Sequence, residues 1–231
     1  MSAAPVLSLR QCAALEPALQ DDQVVVVPGS GGYVVAALLG RPLGLAAWRA
    51  LVPRHAAGVE PAVVVGHVDQ AKALAYDWNE DARRLTDRLW PGPVAFVFSS
   101  VEGAPTLSGA REDELRVSMA GDRALRRLLR TCGPLATAAL RDGAGQPISD
   151  AALAAAACAG DVALVLNGGA STPVEETVID CQRTPPVVRH VGAIPEVYVE
   201  AALLMGARRR GMFMPLGALL PRKRPGSADS G

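Results

Sequence analysis

The residues able to do chemistry are few and far apart in this chain. Gly29-Ser30-Gly31-Gly32 follows the apolar run Val24–Val27. A glycine-rich turn after a strand leaves backbone N–H groups exposed, and these suit an anion. No Gly-Lys-Ser/Thr follows, and the spacing is not G-x-G-x-x-G, so neither common nucleotide fingerprint is present. Arg54, Arg116 and Arg189 fall where strands end or loops begin. A guanidinium grips a carboxylate or phosphate through two parallel hydrogen bonds. One such arginine alone is an ordinary solvated charge, whereas three converging make an anion site. His55, His67 and His190 have no partners at metal-ligand spacing. No Ser/His/Asp or Cys/His arrangement follows from spacing either. Cys12, Cys132, Cys158 and Cys181 are scattered without C-x-x-C. That pattern reads as reduced thiols in a cytoplasm rather than structural zinc.

These residues need a scaffold, and the apolar pattern supplies one. Short buried runs at Val24–Val27, Ala62–Val65, Val94–Phe98, Glu114–Ser118, Pro134–Ala139, Val162–Leu166, Thr177–Asp180 and Val187–His190 read as strands. Helical patterns fall at Leu7–Leu19, Ala46–Leu51, Val68–Tyr76, Glu80–Leu89, Arg123–Thr131 and Asp150–Cys158. Asp150 stands where a carboxylate can cap free N–H groups. Strands and helices alternate irregularly, which predicts an α/β fold with a twisted mixed sheet rather than a strict parallel repeat. Trp90-Pro91-Gly92-Pro93 fixes a rigid corner between a helix and a strand.

Length and charge bound what is possible. With 231 residues there is enough chain for a sizeable core. Half the residues are hydrophobic, which excludes a wholly disordered chain. Lys+Arg and Asp+Glu are 23 each. Zero net charge argues against wrapping nucleic acid with the whole surface, though not against a local basic groove. No apolar stretch reaches the ~20 residues that span a bilayer, and no secretory signal pattern opens the chain. The expectation is one domain over residues 5–204. A basic, mobile tail is expected over 205–231, carrying Arg208-Arg209-Arg210 and Arg222-Lys223-Arg224.

Taken in order, the segments resemble the YrdC-like family of threonylcarbamoyl-AMP synthases from about Val24 to Ile194. Trp90-Pro91-Gly92-Pro93-Val94-Ala95-Phe96-Val97-Phe98 resembles the family's W-P-G-P-x-T-x-V. Leu115-Arg116-Val117-Ser118 resembles V-R-V-P or V-R-V-T. Pro134–Ala139 falls where the family has P-L-x-S-T-S-A-N. Asp161–Gly169 resembles D-x-x-L-D-G-G, Glu176–Asp180 resembles S-T-V-V-D, and Val188-Arg189 with Gly192-Ala193 resembles the closing L-R-x-G. The resemblance implies a single domain with helices around a concave, electropositive cavity. It implies a nucleotidyltransferase that joins L-threonine, bicarbonate and ATP into L-threonylcarbamoyladenylate, with Mg²⁺ as helper. The product serves tRNA threonylcarbamoyladenosine modification in the cytoplasm. Ser30, Tyr33, Arg54, Arg116, Ser118, Thr137, Glu176 and Arg189 are the implied substrate- or nucleotide-binding residues.

The departures fall on the chemistry. The family's P-T-D-T-V-Y-G-L appears as Pro28–Val35, keeping Pro28 and Tyr33 but losing both threonines. The K-x-R motif keeps one cation, Arg54, in either of two alignments. S-T-S-A-N has become Ala136-Thr137-Ala138-Ala139-Leu140. Glu176 replaces a serine that lies at the nucleotide in the family. Two like charges ~4 Å apart repel by about 4 kcal/mol at an effective dielectric near 20. A lost hydrogen bond to a charged group costs another ~1.5–3 kcal/mol. ATP is therefore expected to bind weakly. Glu176 is expected at the cavity with a cationic partner, Arg189 or Arg54. Two readings follow: a divergent synthase, or a non-catalytic module that binds a nucleotide, an RNA or a protein.

Overall fold

The computed structural model describes residues 3–105, 107, 114–169 and 173–204. The tail expected over 205–231 lies outside the described residues. The chain begins with strand β1 (Val6–Ser8), a 3₁₀ helix (Leu9–Ala14) and α1 (Leu15–Gln20). A hairpin of β2 (Val25–Gly29) and β3 (Gly32–Leu38) follows, then α2 (Pro42–His55), β4 (Ala62–Val65), α3 (Val68–Leu74) and α4 (Glu80–Leu89). Next come β5 (Val94–Ser99), β6 (Glu114–Met119), α5 (Arg123–Cys132), β7 (Leu135–Ala139) and α6 (Ala151–Ala157). The described chain closes with β8 (Val165–Asn167), β9 (Thr177–Asp180), β10 (Val187–His190) and α7 (Glu196–Leu204).

The strands form a ten-stranded sheet in the order β1-β8-β2-β3-β7-β4-β6-β5-β9-β10. It is mixed, as expected: β4 runs parallel to β6 and β5 to β9, while β3 and β4 both run antiparallel to β7. Side chains alternate between faces along each strand, and the two faces have different fates. One face carries Val26, Val35, Val63, Phe96, Val117, Ala136 and Ile179, packed under Trp48, Leu85, Ala154 and Val199 from α2, α4, α6 and α7. The opposite face is covered only in part. There Val25, Val27, Ala36, Leu38 and Leu135 pack under Leu15, Leu19, Leu125 and Leu129 from α1 and α5. The rest of that face stays open and becomes the floor of a cavity.

Three departures from the sequence reading have physical causes. Residues Leu7–Leu19 are not one helix, because Val6–Ser8 pairs in parallel with β8. The glycine turn is the tip of a hairpin whose return strand, β3, was not anticipated. Its run Tyr33–Leu38 is apolar throughout and gives no period to read. Helix α7 was also unexpected; its exposed Val197 and Tyr198 blur any amphipathic stripe. At the hairpin, Gly32 has φ +119°, and a Cβ there would sit 2.7 Å from the Ile148 carbonyl oxygen. The same carbonyl accepts from Tyr33 N–H at 2.7 Å. This position thus needs glycine for both conformation and space.

Helix α5 has no acidic residue in its first turn. Asp122 supplies the missing cap, its Oδ1 accepting from Ala124 N–H at 2.7 Å and Leu125 N–H at 2.9 Å. Asp122→Ala is expected to cost about 1 kcal/mol. Urea unfolding checks this, and an unchanged midpoint would show that solvent satisfies those amides equally well.

Candidate functional site

The open part of the sheet forms the floor of a cavity of about 1140 Å³. Ligand sites commonly run ~300–1,000 Å³, so this cavity is at the large end of that range. The floor is built by alternation. Arg116 and Ser118 on β6 share a face, as do Thr137 and Ala139 on β7 and Ala62 and Val64 on β4. Ser30 and Gly31 of the hairpin tip, Arg54 and His55 of α2, the segment Pro173–Glu176, and Arg189 and His190 of β10 form the walls. All three arginines singled out from the sequence therefore line one cavity.

Glu176 lines it and is held by three side chains. Ser30 Oγ donates to Oε1 at 2.9 Å, and Ser118 Oγ donates to Oε2 at 3.1 Å. Arg116 Nη2 approaches Oε2 at 3.3 Å, and its Nη1 meets Glu60 Oε2, also at 3.3 Å. The side chains of Glu176 and Arg116 are 16% and 21% exposed. The sequence reading expected Arg189 or Arg54 as the partner of Glu176, and the structure corrects this to Arg116. The reason is prior engagement. Arg189 is held by Asp180 at 2.8 Å and Glu114 at 3.0 Å. Its bond to Glu114 first, and then those to Asp180, raise it further above the usual guanidinium range. Arg54 pairs with Asp161 at 3.1 Å, and its side chain is 56% exposed at the rim.

The remaining residues take different roles. Thr137 lines the floor, but its hydroxyl proton is given to the Ala62 carbonyl at 2.9 Å. Tyr33 is buried and absent from the described lining. Its hydroxyl accepts from Gly168 N–H at 3.1 Å and so ties β3 to the end of β8. That makes Tyr33 a brace behind the site. Trp90 is likewise structural: its ring packs edge-on to Phe96 and its Nε1 donates to the Val94 carbonyl at 3.0 Å. The adjoining Pro93 carbonyl accepts from Thr177 N–H at 3.0 Å, which fixes the backbone beside Glu176.

Several site residues escaped the sequence reading. His55 Nε2 lies 2.7 Å from Asp161 Oδ2. That hydrogen bond, more than the nearby Arg54, holds Asp161 below the ordinary carboxylate range against the opposing effect of burial. Glu60 had no motif to mark it. Arg141 lines the cavity and forms no ion pair with a carboxylate among the described residues; its guanidinium donates to the Gly145 carbonyl at 3.5 Å. Its signal was its place directly after the altered Ala136–Leu140 segment. The described lining residues carry Arg54, Arg116, Arg141 and Arg189 against Glu60, Asp142, Glu175 and Glu176. Among the described residues no cluster of three His, Cys, Asp or Glu is placed to hold a metal ion.

Comparison with known proteins matches this architecture. The family model Sua5_yciO_yrdC, described as "Telomere recombination", matches residues 17–191. A threonylcarbamoyl-AMP synthase of Pyrococcus abyssi is 28% identical over 141 residues, covering 60% of this chain and 42% of that protein. The chain thus spans less than half the length of that curated relative. Among solved structures, P. abyssi Sua5 complexed with L-threonine superposes with a TM-score of 0.75 at 21% identity, covering 89% of this chain and 61% of that one. E. coli YciO gives 0.70 at 18% identity, covering 84% and 97%. At such identities these likenesses establish the fold.

Proposed function

The chain belongs to the Sua5_yciO_yrdC family, and on that premise we propose that its cavity performs L-threonylcarbamoyladenylate synthesis. The observation that carries this reading is the convergence of Arg54, Arg116, Arg189, Ser118, Thr137 and Ser30 on one cavity of about 1140 Å³. In this reading the threonine nitrogen and bicarbonate condense to a carbamate with loss of water. A carbamate oxygen attacks the α-phosphorus of ATP. The bond from that phosphorus to the bridging oxygen breaks, and pyrophosphate leaves with the electron pair. The chain's contribution is to position and to balance charge. Among the described lining residues Arg141 is the arginine with no carboxylate partner, and in this reading it takes the triphosphate. The carboxylates among the described residues form no magnesium cage, and in this reading Mg²⁺ enters on the triphosphate. The modified adenylate would go to tRNA in the cytoplasm. No helix among the described residues is long and apolar enough to cross a membrane.

One observation favours a second reading, a module that binds a nucleotide, an RNA or a protein without adenylation. Arg54, Arg116 and Arg189 all face carboxylates of the chain itself. The test is pyrophosphate release by the purified chain with ATP, bicarbonate and L-threonine, with and without Mg²⁺. Release that needs all three substrates is expected, and only at high ATP because of the lost donors. Saturable ATP binding without release would establish the second reading instead.

A further inference from the structure

Three donors converge on one carboxylate at the cavity floor. Ser30 Oγ, Ser118 Oγ and Arg116 Nη2 all reach Glu176. Two hydroxyls and a guanidinium around a point of negative charge are what a small oxyanion requires. Here the chain itself provides the anion. The donors also exceed the acceptors, since Arg116 Nε is buried with no hydrogen-bond partner.

We propose that Ser30, Arg116 and Ser118 form an anion seat whose resident occupant is the Glu176 carboxylate. The carboxylate excludes a ligand phosphate or carboxylate from this seat, and its removal opens the seat to a free oxyanion. The proposal needs only the geometry of the floor, so it holds for a synthase and for a binding module alike. In a synthase, Glu176 has to leave the seat before an anion can enter it.

Contact lengths support a displaceable occupant. Charge-assisted N–H···O bonds usually fall near ~2.7–2.9 Å. The Arg116–Glu176 contact at 3.3 Å is longer, as is the Arg116–Glu60 contact at 3.3 Å. Arg116 is stretched between two carboxylates and fully committed to neither. Glu60 is 48% exposed and meets the other terminal nitrogen of the guanidinium, Nη1. Solvent therefore screens it, and it does not fill the seat when Glu176 is shortened. Of the other lining charges, Arg189 and Arg54 are engaged by Asp180, Glu114 and Asp161, Glu175 meets His190 at 2.9 Å, and Asp142 accepts from the Ala144 and Gln146 amides, which leaves Arg141.

The experiment is calorimetric titration of the full chain with inorganic phosphate. E176S is expected to bind phosphate roughly 10- to 100-fold more tightly than wild type. The double variant E176S/R116Q is expected to lose that gain. Thermal unfolding shows whether each protein is folded, and E176A carries the same expectation should the serine variant not fold. Equal phosphate affinity in wild type and the folded variants would overturn the proposal. So would a gain that survives R116Q, because the anion would then be held elsewhere.

Discussion

Gly192→Ala is expected to lower the stability of the fold by about 3 kcal/mol, the upper end of the cost of inserting a methyl group into a filled space. An added Cβ would press on the Glu175 carbonyl oxygen, with the Glu176 carbonyl carbon and oxygen at 2.6 and 2.7 Å. These are backbone atoms, which cannot rotate away as the end of a side chain can. The segment is also stapled in place. Thr177 Oγ1 accepts from Gly192 N–H at 3.0 Å and from Ile194 N–H at 2.9 Å, and it donates to the Ile194 carbonyl at 2.8 Å. Ala193 N–H donates to the Glu175 carbonyl at 2.9 Å. Relief therefore requires moving the strand start that aims Glu176 at Arg116. Gly121→Ala is the control, since nothing lies within 4 Å of a Cβ there; its effect should stay within about 0.5 kcal/mol. Urea unfolding of both variants decides it. Equal midpoints would mean that the 191–194 loop gives way freely, and then the position of Glu176 would not depend on it.

That dependence explains which parts of the site could be read from sequence. Part of the cavity floor was legible, because alternation puts residues two apart on a strand on one face, whereas Glu60 and Arg141 lie outside the strands and carry no such mark. Arg116 and Ser118 are two apart on β6, and Thr137 stands at the matching place on β7. Helices with strong ends were legible too, and α4 falls on the expected Glu80–Leu89. Which carboxylate meets which arginine was not legible. The pairing is set by the register of three strands distant in sequence. Ala95 on β5 lies opposite Ser118 on one side and Val178 on the other, while Val97 lies opposite Arg116 and Asp180. Glu176, one step before β9, leans across the small Ala95 row toward Ser118, and Arg116 reaches diagonally to it. Asp180 faces the Arg116 row but is already held by Arg189. A change of one residue in that register would flip each of these side chains to the other face, and no single segment records it. Tyr33 shows the same limit. Its match to the family pattern was visible, but its direction, behind the sheet toward Gly168, was a property of the assembled hairpin.

Arg116→Ala is expected to destabilise the protein by about 2 kcal/mol, and most of that cost should vanish when Glu176→Ser is added. Without the guanidinium, Glu176 keeps the Ser30 and Ser118 hydroxyls but has no cation. An unsatisfied buried polar group costs ~1–3 kcal/mol, and more when it is charged. The ~3–5 kcal/mol found when a fully buried pair is broken is too much here, because both side chains retain some contact with water. Glu60, largely solvated, can return to solvent at little cost. The loss therefore belongs to Glu176, and a hydroxyl at that position removes it. The double-mutant cycle should give a coupling of about 1 kcal/mol or more, well above the few tenths seen for independent sites. Strict additivity would mean that Arg116 and Glu176 do not sense each other and that their 3.3 Å contact is incidental. A coupling of the expected size would mean that the arginine is held in the cavity by the chain's own carboxylate, which lets a phosphate-binding residue type persist there with no phosphate to bind.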